Sequence, residues 1–512
     1  MLTRLKISGF KNLLDVDVQF GPFTCIAGVN GVGKSNLFDA IRFLSLLADR
    51  PLMEAALYVR DETGKTADVR SLFYRYGDEY ERNMSFEAEM IVPAQGADDL
   101  GQTAKATITF LRYSIALGYR KGESFTPLGS LELLKEELGY ITLGEAHKHL
   151  LFPHNVSKWR RSAVTGKRWS AFISTKEADG GRIIQLHQDG GGGKPFPRRA
   201  VDLPRTVLSV TNAAESRTAL LARREMQSWQ LLQLEPSALR KPDEFSAPTK
   251  LGSNGSHLPA TLYRLAHQEV SGKGGYGTQG DEEPMIYAQT ANRLAELIDD
   301  VRDLSVDRDE RRELLTLYVT GKDRTSHAAR ALSDGTLRFL ALAVLAQDPE
   351  ARGVLCLEEP ENGIHPERIP AMIRLLQDIA TDPMEPVDPQ NPLRQVIVNT
   401  HSPLVVQQVP DDSLLVAEFK ESFRGERRLK GVSFSCLPNT WRVEKSPNAK
   451  QERVCPKGKL LGYLNPVPFA EPYEDVGETS HAKRYRKPRR VVDRADVQGL
   501  LYPKPHMPHQ LK

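Results

Sequence analysis

The sequence predicts an α/β protein in which a mixed sheet, flanked by helices, is assembled from distant parts of the chain. Three observations predict it: an apolar strand running through a glycine-rich loop into a helix near the N-terminus, a second apolar run ending in Glu358 and Glu359, and a third ending in His401.

The first element is the run Phe23 to Ala27, apolar and β-prone. It leads into Gly28-Val29-Asn30-Gly31-Val32-Gly33-Lys34-Ser35, which fits the pattern G-x-x-x-x-G-K-[ST]. An amphipathic helical pattern, Asn36 to Leu47, follows. The strand–loop–helix context separates a working phosphate loop from a chance match. Glycines let the backbone curl so that successive N–H groups, with the positive end of the helix dipole, point at one phosphate. Lys34 then reaches the β- and γ-phosphates, and the Ser35 hydroxyl sits on Mg²⁺. The stretch implies binding of a nucleoside triphosphate.

Val354-Leu355-Cys356-Leu357-Glu358-Glu359 reads as a buried strand with an acidic tip. An acid at the C-terminal edge of a strand beside a phosphate loop is placed to hold Mg²⁺, and the next acid to polarise the attacking water. Glu358 is therefore assigned to the metal, directly or through water, and Glu359 to general-base work. Upstream, Ala331-Leu332-Ser333-Asp334-Gly335-Thr336 precedes the apolar helical run Leu337 to Ala346, another arrangement of backbone N–H groups and a hydroxyl that suits an anion. Downstream, Val396-Ile397-Val398-Asn399-Thr400 is a further buried strand, and His401 follows it in the position of a γ-phosphate sensor.

The order of these motifs resembles that of ABC-type ATPases. The segment Ile7-Ser8-Gly9-Phe10-Lys11-Asn12-Leu13, with the phosphate loop and Asn36 to Ile41, resembles the SMC/RecF/OLD branch. Ser333-Asp334-Gly335-Thr336-Leu337-Arg338, Glu358-Glu359-Pro360-Glu361-Asn362-Gly363-Ile364-His365-Pro366 and Thr400-His401-Ser402-Pro403 are similar to the OLD-related ATPases of bacterial and phage defence. Gly252 to Pro259 resembles a connector of that group. The resemblance covers roughly residues 1–50 and 250–420. It implies an ABC-type P-loop head with an antiparallel β lobe, binding ATP and Mg²⁺. It also implies a homodimer or larger homo-oligomer in which two heads face each other across the nucleotide.

Carried over residue by residue, Gly28, Asn30, Gly31, Gly33, Lys34, Ser35 and Asn36 would hold ATP, with Lys11 near it in the same chain. The signature Ser333, Asp334 and Gly335 would meet the γ-phosphate of the partner's nucleotide. Catalysis would fall to Glu359, His401 and Lys34, and the metal to Ser35 and Glu358. Asn362 and His365 would lie at the dimer seam. The metal acid is often aspartate in the family and is Glu358 here, and the family's glutamine loop finds no counterpart by inspection.

Composition bounds the rest. A chain of 512 residues, 40% hydrophobic and 26% charged, suits two to four folded units of ordinary globular composition. No run approaches the roughly 18 apolar residues of a membrane span, and Met1 to Lys6 leads straight into a strand pattern, so a cytoplasmic protein without membrane partners is expected. Cys25 and Cys356 fall in apolar strand patterns; Cys436 and Cys455 lack a partner at zinc spacing, so neither disulfides nor a structural metal are expected.

The expected organisation is an ATPase head split between 1–49 and 299–419, an antiparallel β part at 50–135, an insertion at 136–298 and a basic extension at 420–512. Met84 to Val92 alternates as an antiparallel strand, whereas 140–205 reads as loop-rich, with Gly190 to Gly193 as its clearest break. Helices are expected over Thr211 to Leu234, Leu258 to Glu269 and Thr290 to Val301, with Ser271 to Gly280 a glycine-rich loop. No long heptad pattern occurs, so the insertion reads as a compact lid or dimerisation module.

From Lys420 to Lys512 there are 20 Lys and Arg against 10 Asp and Glu; with the whole chain at +3, the preceding residues sum to about −7. Lys483, Arg484, Arg486, Lys487, Arg489 and Arg490, with Tyr485 among them, suit a nucleic-acid backbone, or else form a solvated basic tail that aids solubility or docks an acidic protein. Lys158-Trp159-Arg160-Arg161 and Lys167-Arg168-Trp169 form a second basic–aromatic patch. Glu418 follows a strand pattern, but no Asp-x-Asp follows an apolar run after it, so the Toprim nuclease of OLD proteins is not expected. Together these point to an ATP-hydrolysing switch whose head dimerisation regulates DNA binding or an effector subunit such as a nuclease or toxin, in anti-phage defence or DNA maintenance. An ATP-locked scaffold holding such a subunit, or a RecF-like DNA-binding repair protein, are the alternatives.

Overall fold

The computed structural model describes residues 1–59, 68–121, 129–178, 181–190, 196–272, 285–424, 427–445 and 454–456. Residues 1–465 form one unit and residues 466–512 a second, which lies outside the described residues.

The central sheet has six strands in the order Gln230–Leu232, Gly353–Glu358, Arg394–Thr400, Phe23–Ala27, Leu414–Arg424 and Arg427–Cys436. The first five pair in parallel and the last closes an antiparallel hairpin. The strands read as continuous apolar runs because both faces are covered. Side chains alternate between the two faces along a strand. Accordingly Cys25, Leu355, Leu357, Val396, Val398 and Val416 pack into one core, and Ile26, Val354, Cys356, Ile397 and Leu415 into the other. All four cysteines are buried.

One core lies against the helix Lys34–Leu47 and an eight-stranded antiparallel sheet, in the order Phe196–Arg199, Gly181–Leu186, Ile173–Ala178, Ser130–Tyr140, Phe110–Arg120, Asn83–Ile91, Leu2–Phe10 and Leu13–Gln19. Phe10, Phe43 and Phe86 meet there with ring centroids 5.4–5.9 Å apart, which fastens the helix to this lobe. The other core lies under the helices Leu258–Gly272, Met285–Ala295, Asp334–Gln347 and Ile369–Ile379. A small antiparallel sheet of Asp243–Glu244, Val301–Asp309, Leu314–Gly321 and Ser326–Ala328 adjoins them.

Several boundaries differ from the sequence reading. The helix expected over Thr211 to Leu234 is only Arg217–Gln227, and Gln230–Leu232 instead joins the central sheet. Three residues carry no periodicity, so this strand is specified by its neighbour Gly353–Glu358 and not by its own pattern. The helix expected to reach Val301 ends at Ala295, because the alternation of Val301–Asp309 is that of a strand. The expected loop region 140–205 contains the strands Ile173–Ala178, Gly181–Leu186 and Phe196–Arg199, which extend the antiparallel lobe. The strand Leu414–Arg424 runs across position 420, so the ordered fold continues through that expected boundary. Gly191 to Gly193, and residues 273–280 of the expected loop, lie outside the described residues.

Inside the antiparallel lobe, Glu136 is fully buried and accepts hydrogen bonds from the Val207 and Leu208 N–H groups at 2.7 and 2.8 Å and from the Tyr113 hydroxyl at 3.2 Å. Burial outweighs these donors and pushes its carboxyl up to about 7, against 4.5 when exposed. The folded state therefore keeps a proton that the unfolded chain releases. The resulting stabilisation is complete below pH 4.5 and is lost as pH rises through 7. Glu136→Gln cannot titrate, so its unfolding free energy, followed by urea denaturation from pH 5 to 8, should fall less steeply with pH than that of the wild type.

Candidate functional site: a phosphate-loop cleft at the sheet edge

Because the strands Phe23–Ala27, Gly353–Glu358 and Arg394–Thr400 are parallel neighbours, their C-terminal ends open on one edge. The register sets Glu358 beside Asn399, Asn399 beside Ile26, and Thr400 beside Ala27. A cleft of 570 Å³ opens there, lined by Asn30, Gly31, Gly33, Lys34, Ser35, Asn36, Glu358, Glu359, Asn362 and Asn399. Residues more than three hundred positions apart in the chain thus meet at one site.

The helix Lys34–Leu47 begins at Gly33, with no side-chain cap on its first N–H groups and no acid in its first turn. Its positive end is therefore available to an anion. Gly33 has φ +116°, and a Cβ there would sit 2.3 Å from Asn12 Nδ2. Asn12 holds the loop from behind, donating to the Val32 carbonyl at 2.9 Å and accepting from Asn36 at 2.8 Å. Lys34 Nζ donates to the loop's own carbonyls, Gly28 at 2.7 Å and Val29 at 3.1 Å. Burial lowers the Lys34 ammonium, while the carboxylates of Glu359, Glu358 and Glu361 pull it upward.

The acidic pair is held by Asn399, which the sequence reading passed over, together with Asn362 and His401. Asn399, buried, accepts the Glu359 N–H through its carbonyl at 3.0 Å and its Oδ1 at 3.2 Å, and its Nδ2 lies 3.4 Å from Glu358 Oε1. Glu359 adopts φ +46°, in the left-handed region, an uncommon conformation of the kind that concentrates at functional sites. Asn362 Nδ2 donates to Glu359 Oε2 at 2.9 Å, and His401 Nδ1 lies 2.7 Å from Glu359 Oε1. Burial alone would raise the Glu359 carboxyl. The Asn362 and His401 hydrogen bonds, with the His401 and Lys34 charges, outweigh it and hold the group below the usual carboxylate range.

Of the other expected residues, Lys11 pairs with Asp39 at 2.6 Å, in the turn behind the loop, and does not line the cleft. Gly28 also stands behind it, where a Cβ would meet the Ala417 carbonyl at 2.8 Å. Ser333 caps the helix Asp334–Gln347 by accepting the Thr336 N–H, and Asp334 pairs with Arg240 at 2.5 Å. Neither these two nor Gly335 lines the cleft of their own chain. His365 is exposed and lies near Glu367.

Gln233 was not singled out in the sequence. It follows Gln230–Leu232, next to the acidic strand, and lines a cleft of about 190 Å³ with Glu358, Glu359, Arg338 and Asn362. In the second basic–aromatic patch, Trp159 is fully buried and Arg168 donates to the carbonyls of Ser170, Gln188 and Asp189. Those two side chains serve the lobe's core, and only Trp169 of the pair of tryptophans is exposed. Lys483, Arg484, Arg486, Lys487, Arg489 and Arg490 lie outside the described residues.

Residues 280–407 match the family model "AAA domain, putative AbiEii toxin, Type IV TA system", and residues 4–70 match a model of an AAA domain. The chain is 26% identical over 174 residues to a DNA double-strand break repair Rad50 ATPase of Thermoplasma volcanium, covering 28% of this chain and 19% of that protein. It is 46% identical over 46 residues to the DNA replication and repair protein RecF of Parabacteroides distasonis, covering 9% of this chain and 13% of that one. The chain thus matches less than a fifth of the length of either relative. A solved SMC head bound to the C-winged helix domain of ScpA superposes with a TM-score of 0.42 at 12% identity, covering 85% of this chain and 98% of that one.

Gly335 shows how tightly the signature turn is seated: a Cβ there would lie 2.1 Å from the Gly363 carbonyl. Gly335→Ala should force the turn away from the acidic loop and lower the unfolding free energy by about 1–3 kcal/mol, readable as a shifted urea midpoint. The structure is α/β, with a mostly parallel central sheet and an antiparallel lobe, and residues 4–70 and 280–407, which together line the cleft, each match an AAA-domain family model.

Proposed function

We propose that the protein hydrolyses ATP to ADP and phosphate, and that its nucleotide state controls the engagement of two heads. The observation that carries this reading is the meeting of loop N–H groups, Lys34 and the Glu358–Glu359 pair in one cleft, while Ser333 and Gly335 stand outside it. A signature that does not line its own cleft is free to complete a partner's.

The γ-phosphate would lie where Lys34 now donates to Gly28 and Val29, the ammonium exchanging two carbonyls for phosphate oxygens. Water attacks the γ-phosphorus, the new P–O bond forms as the bond to the β-phosphate oxygen breaks, and Glu359 accepts the water's proton. Asn362 and His401 would aim Glu359, and their hydrogen bonds oppose the upward pull of burial on its carboxyl. The hydroxyl of Ser35, the carboxylate of Glu358 and the amide oxygen of Gln233 are hard oxygen donors that fit Mg²⁺. When bound, the ion would neutralise charge developing between the β- and γ-phosphates.

Head engagement would regulate DNA binding or an effector subunit, in anti-phage defence related to the OLD group or in DNA maintenance. The family model's toxin–antitoxin description and the repair functions of Rad50 and RecF support the two branches respectively. An ATP-locked scaffold differs in that turnover would be dispensable to it. Phosphate release and equilibrium nucleotide binding separate the roles. Glu359→Gln should lower kcat by about 10²–10⁴ with ATP bound normally, whereas Lys34→Ala should weaken binding itself. Gln233→Ala should raise the Mg²⁺ concentration needed for half-maximal rate. Wild-type turnover in Glu359→Gln would contradict the assignment.

A further inference from the structure

Thr400, fully buried at the end of the strand Arg394–Thr400, joins three loops of the site. Its carbonyl accepts the N–H of Gly28, the first residue of the phosphate loop, at 3.2 Å. Its hydroxyl donates to Glu361 Oε1 in the acidic loop and accepts the N–H of Ser402, next to His401, at 2.9 Å.

Glu361 is itself anomalous. It is only 9% exposed, and its Oε2 is buried without a hydrogen-bond partner among the described residues. Burial pushes its carboxyl up, against the Thr400 donor. A buried polar atom left unpaired is costly, and such costs recur where a side chain is kept for function. One position along, Asn362 holds Glu359, and the Glu361 carbonyl accepts the Ile364 N–H at 2.9 Å to close the same turn.

We infer that Thr400 and Glu361 form a positioning pair. Contact of His401 with a γ-phosphate is transmitted through the Ser402–Thr400–Glu361 hydrogen bonds to Asn362 and so sets the aim of Glu359. Neither side chain lines the cleft, so both act through other groups. The inference rests on the ATPase reading above. It adds a route by which the presence of a third phosphate organises the general base, while the phosphate loop stays anchored through the Thr400 backbone, which a side-chain substitution leaves in place.

Thr400→Val keeps the branched shape and removes the hydroxyl; Thr400→Ser restores it. In otherwise wild-type protein, Thr400→Val should lower kcat at least tenfold, and Thr400→Ser should return it to within about threefold. In the Glu359→Gln background, calorimetry with ATP–Mg²⁺ and ADP–Mg²⁺ reads γ-phosphate sensing without turnover. There Thr400→Val should reduce the ATP-to-ADP affinity ratio at least fivefold while ADP affinity stays within threefold. Glu361→Ala should follow Thr400→Val, and Glu361→Gln, which keeps the acceptor oxygen, should stand nearer the wild type. An unchanged affinity ratio, or equal losses of ATP and ADP affinity, would overturn the pair, since the hydroxyl would then merely support the loop. If the wild type binds ATP but never turns it over, the hydrolytic reading fails while the affinity ratio still tests the pair.

Discussion

Parallel pairing of Phe23–Ala27 with Arg394–Thr400, and of that strand with Gly353–Glu358, is the constraint on which the site depends. Residues separated by more than three hundred positions become neighbours only through this register. A slip of one residue would turn Cys25, Leu355 and Val396 toward the wrong core and carry Glu358 away from the loop. The two cores on either face of the sheet therefore specify the alignment of the chemistry at its edge. That edge is also where helix and strand termini leave N–H groups unpaired, so one topology provides both the anion site and the acids opposite it.

Three close approaches lie at the same edge. Gly33 against Asn12, Gly28 against Ala417, and Gly335 against Gly363 are each places where a Cβ would meet another group at 2.1–2.8 Å. Together they hold the phosphate loop, the hairpin strand and the signature turn against their neighbours. Lys34 is held by the carbonyls of Gly28 and Val29, and Glu359, in a left-handed conformation, is held through its N–H by Asn399, so the ends of the loop and strands fix the cation and the acid that face one another across the cleft.

The phosphate loop, the acidic strand and the switch strand were legible because each is an apolar run with a chemically distinctive end. Phe23–Ala27 has the expected limits, and Gly353–Glu358 and Arg394–Thr400 differ by a residue or two. Gln233, Asn399, Glu361 and Thr400 were not legible as site residues. Their roles come from neighbours far along the chain: Gln233 follows a three-residue strand specified by pairing, and Thr400 gains its partners only when three loops converge. Trp159 erred in the other direction, since its basic neighbours suggested a surface while its ring lies in the core with Phe152. Alternation in a short edge strand such as Phe196–Arg199 is likewise too brief to distinguish from a loop.

Two heads sandwiching nucleotide remain the central claim, because the signature does not line the cleft of its own chain. The most direct measurement is the solution mass of the purified Glu359→Gln protein with ATP–Mg²⁺ and without nucleotide, by light scattering. Doubling of the mass with ATP–Mg²⁺, abolished by adding Lys34→Ala, is the expected result. A mass indifferent to nucleotide would contradict engagement through the signature and favour an assembly held by other surfaces.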